Sequence, residues 1–272
     1  MNTKYIFLDI DGTLVNMKSA MPKSARAAIV AAKKNGHKIL ISTGRYYDQI
    51  YPWLLETVEF DGIIMSSGAA VIYGGEKIFH KKFSKEMLLH VEDCIKSAGA
   101  YSCYLLEHGL GATKENYVRM CDMLVSAGVS RDVVEETYGN IVFSDIENIE
   151  NVEKGMYCGA NIGFDEMQKR LGPNFSIDPF SFNNMPSSWG EITLSGVNKG
   201  TAVRLVMQHV GADIRDSIAF GDGGNDITMI RAAGVGVAMG NADESVKAVA
   251  DMVTDHIDED GIYNAFVRLG LI

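Results

Sequence analysis

The chain has few of the features that mark secreted, membrane-spanning or nucleic-acid-binding proteins. It has only four cysteines in 272 residues, and Cys94, Cys103, Cys121 and Cys158 show no C-x-x-C spacing, which argues against a zinc site or a disulfide framework. No apolar run approaches the ~20 residues that span a bilayer, and the N-terminus leads into a strand rather than a signal peptide. Lys and Arg form no cluster, and the formal net charge is −10, which disfavours nucleic-acid binding. We therefore expect a cytoplasmic protein without membrane or nucleic-acid partners.

Charge and cysteine are distributed unevenly along the chain. Residues 1–83 hold 11 basic and 7 acidic residues, residues 84–188 hold 8 and 16, and residues 189–272 hold 6 and 12. All four cysteines lie in the middle segment, and no Pro/Gly/Ser linker separates the three parts. This pattern predicts a core domain formed by residues 1–83 and 189–272, into which residues 84–188 are inserted.

Short apolar runs alternate with helical patterns in the first and last thirds, which predicts an α/β fold with a parallel sheet of βαβ units. The predicted strands are 5–10, 38–42, 62–65, 217–220, 236–239 and 252–254. Apolar stripes predict helices over 23–35 and 198–210, and each stops at a glycine. Ligands of such sheets bind beyond the carboxyl ends of the strands, so polar residues at those ends are the candidates for a site.

Two carboxylates, Asp9 and Asp11, stand where the first strand gives way to a tight turn. Side chains two apart on an extended chain point to the same side, so these two should face one small volume. Their charges would repel there unless a cation or a shared proton relieves them. Gly12 permits an unusual backbone angle, and Thr13 adds a hydroxyl. The group is typical of a cation and phosphate site, but an Asx-turn with a helix cap explains it equally well.

Polar residues also follow two other predicted strands. Ser42-Thr43-Gly44-Arg45 can offer hydroxyl and amide donors to an anion, although simple helix capping explains this segment too. The loop Gly221-Asp222-Gly223-Gly224-Asn225-Asp226 holds two carboxylates and an amide, which is more than a turn requires. Lys199 begins a predicted helix, where its charge opposes the helix dipole. A role other than helix stability therefore deserves weight, although by itself a solvated surface lysine explains this residue better.

Taken in order, these segments match the pattern Asp-x-Asp-Gly-Thr, Thr-Gly-Arg, Lys and Gly-Asp-x-x-Asn-Asp. The chain thus resembles the haloacid dehalogenase-like superfamily of phosphotransferases. The run AGVGVAMGNA at residues 233–242 is similar to the Cof-type branch, whose members are mostly sugar-phosphate and related small-molecule phosphatases. The resemblance implies a Rossmann-like parallel-sheet core with an α/β cap inserted between the second and third motifs, which fits residues 84–188. The cap residues match no motif.

The resemblance implies a chemical role for each acidic residue. Asp9 would be the nucleophile that forms an aspartyl phosphate. Asp11 would protonate the leaving alkoxide and deprotonate the attacking water, for which its pKa should be raised toward the working pH. Mg²⁺ would be held by the Asp9 carboxylate, the Asp11 carbonyl and Asp222, with oxygen ligands that suit this ion. Asp226 would either be a further ligand of the magnesium ion or hold the other ligands in place without contacting the ion.

The resemblance also implies a group of residues that bind the phosphate or the substrate. Its members are Ile10, Gly12, Thr43, Gly44, Arg45, Lys199 and Asn225. Thr43 and Lys199 would in addition stabilise charge in the transition state. For Arg45, bracing the cap or forming an ordinary salt bridge is an alternative. Relatives often have Asn-Gly-Ala where this chain has Ser67-Gly68-Ala69, so the contact made by that Asn cannot be transferred.

The sequence therefore predicts a magnesium-dependent phosphatase that acts on a small phosphorylated metabolite. A phosphomutase shares the two aspartates and would differ by releasing no steady flow of inorganic phosphate. A phospho-aspartate switch like a response-regulator receiver is disfavoured by the large inserted segment, and a dehalogenase would leave Asp11 without an alkoxide to protonate. In the cap, Asn183, Asn184 and Trp189 could touch a sugar, although packing and turn roles explain them equally well. Whether the protein is a monomer or a dimer stays open.

Overall fold

The structure is a computed structural model, and it describes residues 2–180 and 186–272. In chain order, the strands are β1 (Tyr5–Leu8), β2 (Lys38–Ser42), β3 (Gly62–Met65), β4 (Ala70–Tyr73), β5 (Glu76–His80), β6 (Tyr101–Leu106), β7 (Leu110–Ala112), β8 (Ile141–Phe143), β9 (Val152–Cys158), β10 (Phe175–Pro179), β11 (Gly190–Leu194), β12 (Ser217–Gly221), β13 (Val235–Ala238) and β14 (Met252–Val253). The helices are α1 (Lys23–Lys34), α2 (Pro52–Thr57), α3 (Lys85–Ser97), α4 (Lys114–Ser126), α5 (Arg131–Tyr138), α6 (Phe164–Leu171), α7 (Lys199–His209), α8 (Ile227–Ala232), α9 (Glu244–Lys247) and α10 (Gly261–Arg268). Among the described residues, no helix combines the length and the apolar character needed to cross a bilayer.

The chain divides into two compact units. The first comprises residues 1–44, 50–80 and 198–272, and the second comprises residues 45–49 and 81–197. The predicted return to the core at residue 189 is too early, because β11 pairs with β9 and β10 in the sheet of the second unit. Its apolar pattern suits a strand of either sheet, so the sequence alone does not assign it. The further interpretation of the units as a catalytic core and a cap stays a prediction.

The first unit is built on an eight-stranded sheet with the order β14-β13-β12-β1-β2-β3-β4-β5. The strands from β14 to β3 are parallel, whereas β4 and β5 add an antiparallel hairpin. The α/β prediction with a parallel sheet is thus confirmed. The hairpin was not predicted, although Gly74-Gly75 between β4 and β5 is a hairpin signal and both glycines have positive φ.

Helices cover both faces of this sheet, as a buried parallel sheet requires. Helix α1 places Ala25, Ala28, Ile29 and Ala32 in the core, the spacing of a helix with one apolar face. It packs with α10 on one side of the sheet, in a core that also holds Phe266. Helices α7 and α8 contribute to the core on the other side.

The order in which the chain adds strands to the sheet reverses between β1 and β12. From β1 it proceeds outward through β2 and β3, and it later returns to β12 on the other side of β1. Ligands of doubly wound sheets bind beyond the carboxyl ends of the strands at such a reversal. Asp9 follows β1 and Asp222 follows β12, so the topology places both at the expected position.

The second unit has its own six-stranded sheet, in the order β10-β11-β9-β6-β7-β8. One core of this unit joins the sheet to α3 and α6, and another joins it to α4. Tyr46 is only 1% exposed and belongs to the same core as Trp189, which explains why residues 45–49 group with this unit. Trp189 is 3% exposed and packs edge-on against Phe180, as expected for a packing residue. Asn183 and Asn184 lie outside the described residues.

Helices α7 and α8 pack closely at Gly200. Its N–H donates to Thr228 Oγ1 over 3.2 Å, and a Cβ at this position would overlap the Thr228 carbonyl. An alanine would therefore push apart two helices whose first residues lie near the carboxyl edge of the sheet.

We expect Gly200→Ala to lower the free energy of unfolding by about 1–3 kcal/mol, because overlap in a packed contact outweighs the better helix propensity of alanine. Urea denaturation measures the change. Gly163→Ala is the control, since Gly163 has negative φ and no atom lies within 4 Å of an added Cβ. A Gly200→Ala protein as stable as the wild type would contradict the proposed close packing.

Candidate active site

Three carboxylates meet at the carboxyl edge of the first unit's sheet. Asp9 follows β1, Asp222 follows β12, and Asp226 ends the short 3-10 turn Gly224–Asp226. One oxygen from each lies within 4.8 Å of the others. Asp9 is 6% exposed and Asp226 is 1% exposed, so their charges are largely removed from water.

Lys199 supplies a cation to this cluster. It is the first residue of α7 and is fully buried, and its Nζ lies 2.6 Å from Asp9 Oδ1 and 2.6 Å from Asp226 Oδ1. The two ion pairs explain why a lysine is tolerated at a helix N-terminus, where the helix dipole disfavours it. The alternative of a solvated surface lysine is therefore wrong.

One ammonium does not balance three carboxylates that lie this close together, two of which are buried. Burial raises the pKa of Asp9 to about 7, with a further contribution from the charge of Asp226 that Lys199 only partly offsets. Burial, and then the charge of Asp9, also hold the pKa of Asp222 well above its usual range. Burial alone would lower the pKa of Lys199, but the charges of Asp226 and Asp9 outweigh it and raise that pKa. Lys199 therefore relieves only part of the repulsion within the cluster.

Asp226 fixes the loop that carries Asp222. Its Oδ1 accepts from Lys199, and its Oδ2 accepts from the backbone N–H groups of Asp222 and Gly223 at 2.9 and 3.0 Å. Thr13 Oγ1 donates to Asp222 Oδ1 over 2.8 Å. Within the described part of the chain, no hydrogen bond reaches Asp9 Oδ2 or Asp222 Oδ2, which leaves these two oxygens to bind a ligand.

The cluster fits a divalent cation of the kind that prefers oxygen ligands. Carboxylate oxygens are hard donors, and the raised pKa values of Asp9 and Asp222 arise from burial and mutual repulsion, which a cation would relieve. Asp226 already uses both oxygens within the protein, so it fits the supporting role better than that of a ligand.

Gly12 allows the turn after β1 to approach the loop after β12. Its φ is +87°, and a Cβ at this position would overlap the Asp222 carboxylate. The Gly12 carbonyl accepts from Asn241 Nδ2 over 2.8 Å, and Asn241 Oδ1 accepts from the N–H of Ile257. Asn241 thus holds the turn in place. Neither this role nor that of Thr13 toward Asp222 was predicted, although the Gly240-Asn241-Ala242 run was a visible signal.

Asp11 lies in the turn that follows β1, and its side chain is exposed, unlike that of Asp9. Its charge is close enough to contribute to the raised pKa of Asp9. The Ile10 side chain is fully buried in the apolar core, and its carbonyl accepts from the N–H of Val15 over 2.7 Å. Any contact of Ile10 with phosphate would therefore have to come from its backbone N–H.

Thr43 follows β2 at the same edge of the sheet and is 1% exposed. Its N–H donates to the Ile64 carbonyl over 2.9 Å, so this amide is engaged within the protein, and the contact of Thr43 with phosphate stays a prediction. Gly44 is the last residue of this segment in the first unit. Arg45 groups with the second unit, where its Nη1 donates to the Gln49 carbonyl, and its contact with substrate stays a prediction. Asn225 is half-buried in the Gly224–Asp226 turn.

Several curated proteins and solved structures match this chain over nearly its whole length. The phosphatase YcsE of Bacillus subtilis, which acts on 5-amino-6-(5-phospho-D-ribitylamino)uracil, is 27% identical over 97% of this chain and 95% of its own length. The solved structure of the sugar phosphatase BT4131, of HAD subclass IIB, is 29% identical with a TM-score of 0.78 and covers 99% of this chain and 100% of its own.

A further solved structure comes from work on a trigonal-bipyramidal intermediate in a phosphoryl-transfer superfamily. It is 30% identical, with a TM-score of 0.80, and covers 100% of both chains. The family model for haloacid dehalogenase-like hydrolases matches residues 6–266. Because that match takes in every carboxylate of the cluster and nearly all of the sequence, the chain belongs to the haloacid dehalogenase-like hydrolases.

Proposed function

We propose that this hydrolase is a magnesium-dependent phosphatase that releases phosphate from a small phosphorylated metabolite through an aspartyl-phosphate intermediate. The observation that carries the proposal is the cluster of Asp9, Asp222 and Asp226, in which the buried Lys199 pairs with Asp9 and Asp226. Closely spaced carboxylates repel one another, and this cluster offers the charges that phosphoryl transfer requires.

Asp9 and Asp222 would hold the magnesium ion together with the main-chain carbonyl of Asp11, and Asp226 would keep Asp222 and Lys199 in place. When bound, the ion offsets the negative charge that otherwise separates a carboxylate nucleophile from a phosphate. Asp226 fulfils its part through the hydrogen bonds to the Asp222 loop and the ion pair with Lys199.

Asp9 is the proposed nucleophile. Its carboxylate forms a bond to phosphorus as the bond between phosphorus and the leaving oxygen breaks. Lys199 restrains one oxygen of Asp9 by the 2.6 Å hydrogen bond, so the carboxylate is oriented before substrate arrives. In this proposal Lys199, Thr43, Gly44 and Asn225 would bind phosphoryl oxygens and stabilise their charge.

Asp11 is the proposed acid and base. It gives a proton to the leaving oxygen in the first step. In the second step it takes a proton from the water that attacks phosphorus, and Asp9 is released as a carboxylate. The exposed position of Asp11 supports this role, because the group must exchange protons with both the alcohol product and water.

The substrate is proposed to be a sugar phosphate or a related phosphomonoester. Support comes from BT4131, a sugar phosphatase, and from YcsE, which acts on a phosphorylated ribitylamino compound. The second unit, with its acidic sequence, would act as a cap that selects a small ligand. The cytoplasmic location expected from the sequence stays a prediction, as does the assignment of Arg45 to substrate binding.

The nucleophile is tested by Asp9→Asn. An amide does not attack phosphorus, so magnesium-dependent release of inorganic phosphate from p-nitrophenyl phosphate should fall at least about 1,000-fold. Asp213→Asn is the control, because Asp213 lies at the surface in an ion pair with Arg215. Near-normal turnover by Asp9→Asn would refute the assignment, and a wild-type protein that rearranges phosphate esters without steadily releasing phosphate would be a mutase.

The proton-transfer role is tested by Asp11→Asn. We expect the rate with alkyl phosphate esters to fall by about 10²- to 10⁴-fold. The loss with acetyl phosphate should be smaller, because its leaving group needs little protonation. Steady-state kinetics on both substrate types measure the difference, and equal losses would argue against a general acid.

Magnesium should stabilise the protein more at about pH 8 than at about pH 5. Asp9 has a pKa of about 7 in the folded chain, whereas the pKa of an Asp in the unfolded chain is about 3.9. The metal-free folded chain thus keeps a proton that the unfolded chain has lost. Its free energy of unfolding therefore falls as the pH rises through this interval. A bound cation favours the ionised form of Asp9, so it prevents this fall in the free energy of unfolding.

Thermal unfolding with and without magnesium, at both pH values, measures this effect. Asp222→Asn should abolish most of the response, whereas Asp213→Asn should retain it. A magnesium effect on Tm that is equal at the two pH values would contradict the assigned cation site.

A further inference from the structure

The turn that follows β3 has an unusual backbone. Ser66 and Ser67 have φ of +48° and +56°, which places two successive non-glycine residues in the left-handed region. Such conformations are uncommon for residues with a Cβ, and they concentrate at functional sites, where the surrounding structure holds them. Neighbouring segments at the carboxyl edge of the sheet hold this turn in place.

The turn connects two residues of the proposed phosphate site. The N–H of Ser67 donates to the Thr43 carbonyl over 3.1 Å. On its other side, Gly68 lies so close to Asn198 that an added Cβ would overlap the Asn198 carbonyl, and Asn198 directly precedes Lys199. Ser67 therefore lies at the same edge of the sheet as Thr43 and Lys199, held between the segments that carry them.

The Ser67 hydroxyl has no hydrogen-bond partner among the described residues, although its oxygen is buried and the residue is only 4% exposed. Buried hydroxyl groups in folded proteins are nearly always paired, because leaving one unpaired costs free energy. A strained turn and an unpaired hydroxyl thus coincide at one residue beside the phosphate site. A ligand oxygen would complete the hydroxyl's hydrogen bonding.

We propose that Ser67 is a substrate-binding residue whose hydroxyl donates a hydrogen bond to an oxygen of the phosphoryl group. The inference rests on the proposed phosphatase function and extends its phosphate site. The backbone hydrogen bond to Thr43 favours the phosphoryl group over the leaving group as the partner. All the proposed substrates share the phosphoryl group, so loss of this hydrogen bond should weaken the binding of every substrate to a similar extent.

Ser67→Ala and Ser67→Gly test the proposal together. Both remove the hydroxyl, whereas only glycine relaxes the left-handed backbone. We expect KM to rise by about 10- to 100-fold for both variants, as for a lost hydrogen bond to a charged group. The factor should be similar for p-nitrophenyl phosphate, acetyl phosphate and a panel of sugar phosphates. The Tm of Ser67→Ala should stay within about 2 °C of the wild-type value, because no protein hydrogen bond is lost.

Ser24→Ala is the matched control, because it removes another buried hydroxyl without a described partner from helix α1, and its KM should be unchanged. Binding of inorganic phosphate with magnesium present, measured by calorimetry, gives a second readout that needs no turnover. It should weaken in both Ser67 variants but not in Ser24→Ala.

Three results would overturn the proposal. One is phosphate affinity and KM in Ser67→Ala within about twofold of the wild type, the range expected when no hydrogen bond is lost. Another is a KM increase confined to particular leaving groups, which would place the hydroxyl against the leaving group. The third is a fall in Tm for Ser67→Ala with unchanged phosphate affinity, which would show a structural hydrogen bond. If the wild type hydrolysed no phosphomonoester, the phosphatase proposal would fail, while calorimetry would still decide the role of Ser67.

Discussion

The pair of ion contacts made by Lys199 is the interaction on which the site depends. A buried ammonium and buried carboxylates each carry a large desolvation penalty, which is offset only when the charges are paired in good geometry. Lys199 meets this condition with two oxygens at 2.6 Å. In doing so it joins the end of β1, the start of α7 and the loop after β12. The remaining negative charge is what makes the cluster suited to a cation and to phosphoryl chemistry.

The backbone around this cluster is arranged to bring those segments together. Gly12 permits the turn after β1 to contact the Asp222 carboxylate, and Asn241 fastens the same turn through its carbonyl. Gly200 permits α7 to pack closely on α8. The contact of Gly12 with Asp222 lies at the reversal of strand order between β1 and β12, where the carboxyl ends of neighbouring strands leave room for a ligand.

Much of this arrangement could be predicted from the sequence, because its chemistry uses unusual residues at the ends of apolar strands. Strands 38–42 and 62–65 were predicted with the bounds that the structure gives them, and the acidic residues that approach one another were identified in advance. What escaped prediction depends on contacts between distant residues. The hydrogen bond from Asn241 to Gly12 spans 229 positions, and the Gly240-Asn241-Ala242 run marks Asn241 without indicating its partner. The assignment of β11 and of residues 45–49 to the second unit likewise depends on packing partners that only the fold brings together.

The separation along the chain between Asp9 and Lys199 also bears on how the protein is made. These residues are 190 positions apart, and Asp222 and Asp226 come later still. During synthesis from the N-terminus, β1 emerges long before the cation that pairs with its terminal carboxylate. Any early pairing of β1 with β2 must therefore leave Asp9 in water or protonated. The ion-paired centre closes only after Asp226 has left the ribosome, so a product truncated before Lys199 has the first motif without the ammonium that pairs with its carboxylate.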